Sequence, residues 1–312
     1  MSARCMPFDD AGVAEAARLI LGGEPVALPS ETVYGLAADA TNARAVAAVY
    51  AAKGRPSFNP LIVHVASRAM AETIADFSPE AKRLADAFWP GPLTLILPRR
   101  DEGPVCDLVA AGLPTVAIRM PDHPAMRAVI EASGRPLAAP SANRSGSISP
   151  TRAEHVLASL GERIALVLDA GPTRAGIEST IAAASGSGIR VLRPGPITAQ
   201  ELARASGLPV AGGGAVNGIE APGQLASHYR PEKPVRLNAD SAGAGEYLIG
   251  FGPMACDVNL SRDESLVEAA ANLFAALHRA DASKASAIAV APIPQQGIGV
   301  AINDRLARAA VR

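Results

Sequence analysis

Aromatic residues make up only 4% of this 312-residue chain, with a single tryptophan. That scarcity works against nucleic-acid surfaces that stack bases on clustered rings. Cysteine is rarer still: Cys5, Cys106 and Cys256 stand far apart with no CxxC pair. This excludes a disulfide framework and a cysteine-built zinc site, and the three read as small buried apolar residues. Excess charge of one sign is also missing. Lysine and arginine number 29 against 30 aspartates and glutamates, a net of −1, so nothing at whole-chain level demands a polyanionic partner. No apolar run reaches about 18 residues, and the N-terminus lacks a basic start followed by a long apolar signal segment. The expectation is a cytoplasmic protein without a membrane partner.

Familiar catalytic signatures are absent as well. There is no G-x-x-x-x-G-K-[ST], no G-x-S-x-G and no H-E-x-x-H. Gly212-Gly213-Gly214 lacks a strand–turn–helix setting, and Gly297-x-Gly299 lacks a third glycine; both read as turns. If this chain handles ATP, it does so with another architecture.

What is present is a chain that is 49% hydrophobic, in which segments of helical period alternate with short apolar runs. That is the pattern of an α/β protein. Asp9 or Asp10 caps a helix carrying Val13, Ala17 and Ile20, closed by Gly22 and Gly23. A strand over 26–28 precedes a helix with Val46, Val49 and Tyr50 on one face and Gly54 past its end. Ser78-Pro79 opens another helix. Strands are expected at 61–65, 94–97, 115–120, 164–168 and 189–192. Thr151 with Glu154, and Thr198 with Glu201, read as capping boxes, the second helix ending at Gly207.

From 207 to 235 the glycines and prolines leave no room for a long regular element, so this stretch reads as a linker between a domain at 1–206 and a unit at 236–312. In the second unit, strands at 247–251 and 287–291 alternate with helices. Ser261 with Glu264 would cap a helix carrying Val267, Ala270, Phe274 and Leu277, and Asn303 would cap the last one. Strand–helix alternation predicts a parallel sheet. At under about 80 residues the unit is small for independent stability, so docking onto the first domain is expected.

Five polar clusters fall at or near expected strands. They are Pro29 with Ser30-Glu31-Thr32-Val33-Tyr34-Gly35-Leu36, read as a polar loop; Lys53-Gly54-Arg55-Pro56-Ser57-Phe58-Asn59-Pro60; Pro140-Ser141-Ala142-Asn143-Arg144-Ser145-Gly146; Gly176-Ile177-Glu178-Ser179-Thr180-Ile181; and Leu192-Arg193-Pro194-Gly195. Lysine and arginine together suit phosphate, one as a point charge and the other as a fork. On the 61–65 strand His64 shares a face with Ile62, and on the next strand Arg119 shares one with Thr115 and Ala117. A buried arginine there needs an anion, either a ligand carboxylate or an internal Glu or Asp. Five such clusters in one domain are better explained by one concave site than by five turns.

These residues also carry a resemblance. S-E-T-V-Y-G-L-A, K-G-R-P-x-x-N-P-L-I-V-H, P-G-P-L-T, P-S-A-N-x-S-G, G-I-E-S-T-I and R-P-G, in this order, closely resemble the YrdC/YwlC family of threonylcarbamoyl-AMP synthases over about residues 9–206. Ser227-His228-Tyr229-Arg230-Pro231 and Ala301-Ile302-Asn303-Asp304-Arg305-Leu306 resemble the linker and terminal segments of the family's long form. The chain departs at Ser30, where the family usually has threonine, and at Asp169-Ala170-Gly171, where it has Asp-Gly-Gly. The resemblance implies a twisted open mixed sheet with flanking helices and a deep basic cavity, followed by a small C-terminal α/β domain with a parallel sheet.

It further implies that Thr32, His64, Arg119, Ser179 and the backbone near Ala139 hold L-threonine, with Arg119 on its carboxylate. ATP would meet Arg55, Asn59, Thr115, Ser141, Ser149 and Arg193, with Lys53 and Arg55 acting on the phosphates and Mg²⁺ arriving with the nucleotide. Thr115 and Arg119, on one strand face, would be neighbouring contacts. Tyr229 would close over the cavity. The implied activity condenses threonine, bicarbonate or CO2 and ATP into threonylcarbamoyl-AMP, which a separate tRNA-modifying machinery uses. The competing reading is a non-catalytic RNA-binding module whose basic cavity holds RNA phosphates.

Overall fold

The computed structural model describes residues 2–212, 221 and 228–311. In chain order the first part runs β1 (Arg4–Pro7), α1 (Asp10–Leu21), β2 (Val26–Pro29), β3 (Tyr34–Asp39), α2 (Ala43–Lys53), β4 (Ile62–His64), α3 (Arg68–Ile74), α4 (Pro79–Phe88), β5 (Leu93–Pro98), α5 (Asp107–Ala110), β6 (Thr115–Arg119), α6 (Pro124–Ser133), β7 (Leu137–Ala138), α7 (Ala153–Leu160), β8 (Leu166–Asp169), β9 (Thr180–Ser185), β10 (Gly188–Arg193), α8 (Ala199–Ser206) and β11 (Val210–Gly212). The second part holds β12 (Val235–Arg236), β13 (Glu246–Gly250), β14 (Val258–Asn259), α9 (Leu266–Asp281), β15 (Ala287–Val290) and α10 (Gly299–Ala310).

Strands β1 to β11 form one mixed sheet in the order β1-β8-β2-β3-β7-β4-β6-β5-β9-β10-β11. Side chains alternate across it. Ala27, Leu36, Val63 and Val167 face a core shared with α2, α4 and α7. Val26, Leu28, Ala37 and Leu168 face α1 and α6. On that second face α1 and α6 cover only the β8-β2-β3-β7 end. Farther along, Ile62, Ala117, Ile181 and Leu192 form a small separate cluster, and the cavity described below opens beside it.

The second sheet has the order β12-β15-β13-β14 with every pair parallel, as strand–helix alternation predicted. Its core includes Phe274, Leu277 and Ile302, but also Val33, Ile148 and Ile177 of the first part. The small unit is thus docked through shared apolar packing.

Several local expectations need correction. The segment read as a polar loop after β2 is loop only at 30–33: Tyr34, Gly35 and Leu36 belong to β3, which pairs antiparallel with β2. Thr151 does not cap α7. Arg152 occupies that position without a side-chain bond, because Thr151 is drawn into the interior, where its carbonyl accepts from Thr173 N. Ser265, not Ser261, caps α9; the Ser261 hydroxyl instead donates to Glu268 and accepts from Ser265 N. Val267, in the first turn of that helix, lies 69% exposed while Ala270, Phe274 and Leu277 are buried. Asn303 lies inside α10, donating to Ile293 O and Gly299 O. Gly299 is the first residue of that helix, leaving only Gly297 to the turn. The cysteines are free, as expected, but none is buried: Cys5 is exposed on the edge strand β1, and Cys106 and Cys256 are half-buried. Of the stretch read as a linker, 213–220 and 222–227 lie outside the described residues; Val210–Gly212 adds β11 to the main sheet. No helix among the described residues is long and apolar enough to cross a membrane.

Candidate active site

The site is assembled from strand ends. Parallel pairing of β4 with β6 sets His64 beside Arg119. The β2–β3 connection, Ser30 to Val33, is entirely buried and held shut by Ser30, whose hydroxyl donates to Val33 O at 2.7 Å. This presents Thr32 and Glu31 to Arg119. The arginine donates Nη1 to Thr32 Oγ1 at 2.9 Å and Nε to Gly91 O at 3.2 Å, while Nη2 lies 2.6 Å from Glu31 Oε1. The anion that a buried arginine requires is therefore internal. On β10, Arg193 donates to Ser179 O and Ser179 Oγ, both at 3.1 Å, and Ser179 Oγ also meets Thr94 Oγ1 at 2.7 Å.

One cavity brings together Thr32, Arg55, His64, Arg119, Ala139, Ser141, Ser179, Arg193 and Tyr229, with Ser30, Glu178 and His228 also in its wall. Its open space is about 50 Å³, far below the ~300–1,000 Å³ of an ordinary ligand pocket. Tyr229 closes it. The ring is fully buried, its backbone is at φ +62°, and its hydroxyl has no hydrogen-bond partner among the described residues. A non-glycine residue at positive φ costs about 1–3 kcal/mol, so packing must hold the tyrosine there. His228 stands edge-on to it at 4.0 Å.

Four of the expected contacts do not line this cavity. Lys53 is buried behind it, its ammonium donating to Ser141 O and Asn143 O, both at 2.6 Å. Burial, then Arg55, pushes its pKa well below the usual value. Ser149 is buried with its hydroxyl on Glu178 Oε1. Asn59 is 1% exposed, and neither side-chain atom has a partner among the described residues. Of Thr115 and Arg119, only Arg119 lines the cavity. They share a face, but four residues at ~3.3 Å each separate the ends of β6.

The electrostatics favour an anionic guest. Among the described residues Arg55 donates to Asn59 O and Pro60 O, and burial draws its pKa down to about 10. Burial also lowers that of Arg193. Neither has a carboxylate partner among the described residues. His64, lowered to about 3 by burial and then by Arg119, is neutral at neutral pH. Glu31, Glu178 and Arg305 lie within the sequence motifs, but the motifs alone assign them no role. For Arg305 a signal existed, an arginine at the apolar spacing of Ala301, Ile302, Leu306 and Ala309.

Residues 18–195 match a family model for Sua5/YciO/YrdC proteins, described as telomere recombination, and residues 197–311 match the threonylcarbamoyl-AMP synthase C-terminal domain. The threonylcarbamoyl-AMP synthase of Bacillus subtilis is 42% identical over 97% of this chain and 94% of its own length. That of Schizosaccharomyces pombe is 36% identical over 92% and 85%. The crystal structure of P. abyssi Sua5 complexed with L-threonine superposes with a TM-score of 0.90 at 35% identity, covering 99% of this chain and 98% of that one. By sequence, extent and fold, the chain belongs to the Sua5/YciO/YrdC family, in the form that carries the threonylcarbamoyl-AMP synthase C-terminal domain.

Proposed function

We propose that this chain is an L-threonylcarbamoyladenylate synthase, condensing L-threonine, bicarbonate or CO2 and ATP to threonylcarbamoyl-AMP and pyrophosphate. The product would pass to a separate machinery that modifies adenosine in tRNA. One observation carries the reading: His64, Arg119, Ser141, Ser179 and Arg193, from five separate segments, line a single cavity. In this reading 1–206 is the catalytic domain, 207–235 a strap and 236–312 the docked unit, in a cytoplasmic enzyme.

The threonine carboxylate is received by Arg119, which Thr32 and Glu31 already orient. A neutral His64 adds no repulsion toward the threonine ammonium. Once its ammonium has released a proton to solvent, the threonine amine attacks CO2 to give an N-carboxylate and a second proton, or attacks bicarbonate to give the same N-carboxylate with loss of water. A carboxylate oxygen then attacks the α-phosphorus, and pyrophosphate leaves. No covalent enzyme intermediate is needed, so the protein works by positioning both substrates and offsetting phosphate charge. Arg193 and Arg55 supply that charge, while Lys53 secures the Ser141 loop through its carbonyls. The unpartnered amide of Asn59 is the polar group that a nucleotide would satisfy. Magnesium would arrive with the nucleotide, because Glu178, the carboxylate lining the cavity, is engaged by Arg305, and Glu31 is engaged by Arg119.

The substrates require more room than the cavity offers, so His228 and Tyr229 must swing out for entry and back to shield the water-labile carbamate. The deciding experiment measures pyrophosphate release. A rate that requires threonine and bicarbonate together supports the synthase. Tight, salt-sensitive RNA binding without turnover would support the RNA-binding module instead.

A further inference from the structure

Helix α10 carries an arginine where an apolar residue belongs. Ala301, Ile302, Leu306 and Ala309 form its inward face, and Arg305 sits among them with none of its surface exposed. Its guanidinium reaches out of the second unit into the wall of the site. Nε donates to Glu178 Oε2 at 2.9 Å, and Nη1 donates to Pro194 O at 2.8 Å and to Asp304 Oδ2 at 2.8 Å. Its carbon lies 5.3 Å from the centre of the Tyr229 ring. Glu178 and Pro194 directly adjoin Ser179 and Arg193 in sequence.

Glu178 is the group that makes this contact consequential. It is a buried carboxylate in the cavity wall, close enough to cations for two opposing influences on its pKa. Burial would raise it, but Arg305 first and Arg193 next outweigh burial and hold it below the ordinary range. Its charge is therefore shared ground between two arginines. Its oxygens are nevertheless taken by others: Ser149 donates to Oε1 and Arg305 to Oε2. Arg193 makes its hydrogen bonds to Ser179 and forms no ion pair among the described residues.

We propose that Arg305 is a positioning residue for the nucleotide: by engaging the Glu178 carboxylate from the second unit, it leaves the Arg193 charge available to a phosphate group. The inference rests on the reading above that phosphate meets Arg193. Without Arg305, a buried glutamate would be left beside Arg193, and pairing between them is what the site's electrostatics would favour. A phosphate would then have to compete with an internal carboxylate. Arg305 acts through Glu178 and touches no reacting atom. An arginine that merely stapled the two units together would affect both substrates alike and would not depend on the charge of residue 178.

The test uses the full chain and equilibrium binding of ATP and of L-threonine, each measured alone by calorimetry. Arg305→Met should weaken ATP binding by about tenfold or more, with threonine affinity changed by less than about twofold. Adding Glu178→Gln to Arg305→Met removes the competing charge and should return ATP affinity to within about threefold of the parent. Unchanged ATP binding in Arg305→Met, equal loss for both ligands, or no recovery in the double variant would each overturn the proposal. Should Arg305→Met not fold, Glu178→Gln alone decides. With Arg305 intact it should bind ATP at least as tightly as the parent, and a loss beyond about threefold overturns the idea. Arg193→Ala separates the two layers of argument. If it binds ATP normally, the site reading itself fails. If it weakens ATP and Arg305→Met does not, the site reading stands and this inference falls.

Discussion

Arg119 lies 3% exposed on an interior strand with Glu31 at 2.6 Å, so removing it has two consequences that must be separated. Arg119→Ala deletes the proposed carboxylate anchor and also strands Glu31 as an uncompensated buried charge. The second effect should destabilise the fold by about 3–5 kcal/mol, and the first should raise KM for threonine by about tenfold or more. Adding Glu31→Gln removes the stranded charge. Urea midpoints should then recover most of the loss while the KM defect persists. A double variant with normal threonine dependence would reject the anchor. The sequence showed that Arg119 needed an anion, because an inward strand position admits no unpaired guanidinium. It did not show which anion, because Glu31 reaches Arg119 only through the buried connection between β2 and β3.

The turn from β10 into α8 shows how closely the elements around the cavity are fitted. A Cβ added at Gly195 would fall 2.3 Å from Thr180 N, 2.7 Å from Ser179 C and 2.8 Å from Glu178 O. All three are backbone atoms that no rotamer change can move. Gly195→Ala should therefore push the turn outward, carrying Arg193 off Ser179. A loss of about 1–3 kcal/mol by denaturant melting is expected, with a larger fractional fall in pyrophosphate release. Retention of both stability and rate would mean that the turn has slack. Helices with strong punctuation were legible in the sequence: Asp9 and Gly22 bound α1, Ser78-Pro79 opens α4, and Thr198 with Glu201 boxes α8. Strand β3 was not, because Tyr34 to Asp39 are all buried and a strand covered on both faces shows no alternation. Of the caps misread, Thr151 is held by its backbone carbonyl, which accepts from Thr173 N, while the Ser261 hydroxyl bonds Ser265 and Glu268 at the start of α9. The Arg305–Glu178 pair spans 127 residues and follows from how the second unit docks, which no local pattern encodes.

At the scale of the whole molecule, the second unit braces the site's wall from behind through the Arg305–Glu178 pair and shares its core with Val33, Ile148 and Ile177. Deleting 207–312 should uncover that apolar surface, free Glu178 from Arg305 and abolish most turnover; a folded, fully active remnant would refute a functional role for the unit. The same interface carries a titration signature. The His155 and His278 rings stack at 3.9 Å across it, and His278 Nε2 lies 3.2 Å from Ser149 O. Burial lowers the pKa of all five histidines, bringing His64, His155 and His228 to about 3, with His278 and Arg152 adding to the effect on His155. An unfolded imidazole takes a proton below about pH 6.5. Between there and about pH 3 the unfolded chain therefore holds more protons than the folded one, and stability falls as pH falls. The stabilisation is fully present above pH ~6.5, and each deeply buried imidazole removes about 2 kcal/mol of it by pH 5. The melting temperature should accordingly drop between pH 7 and 5, before carboxylates titrate near ~4. His155→Phe preserves a ring in the stack and removes one titrating group, so its pH slope should be shallower than the parent's. A flat profile over that range, or a variant with an unchanged slope, would mean that these imidazoles can take protons without opening the interface.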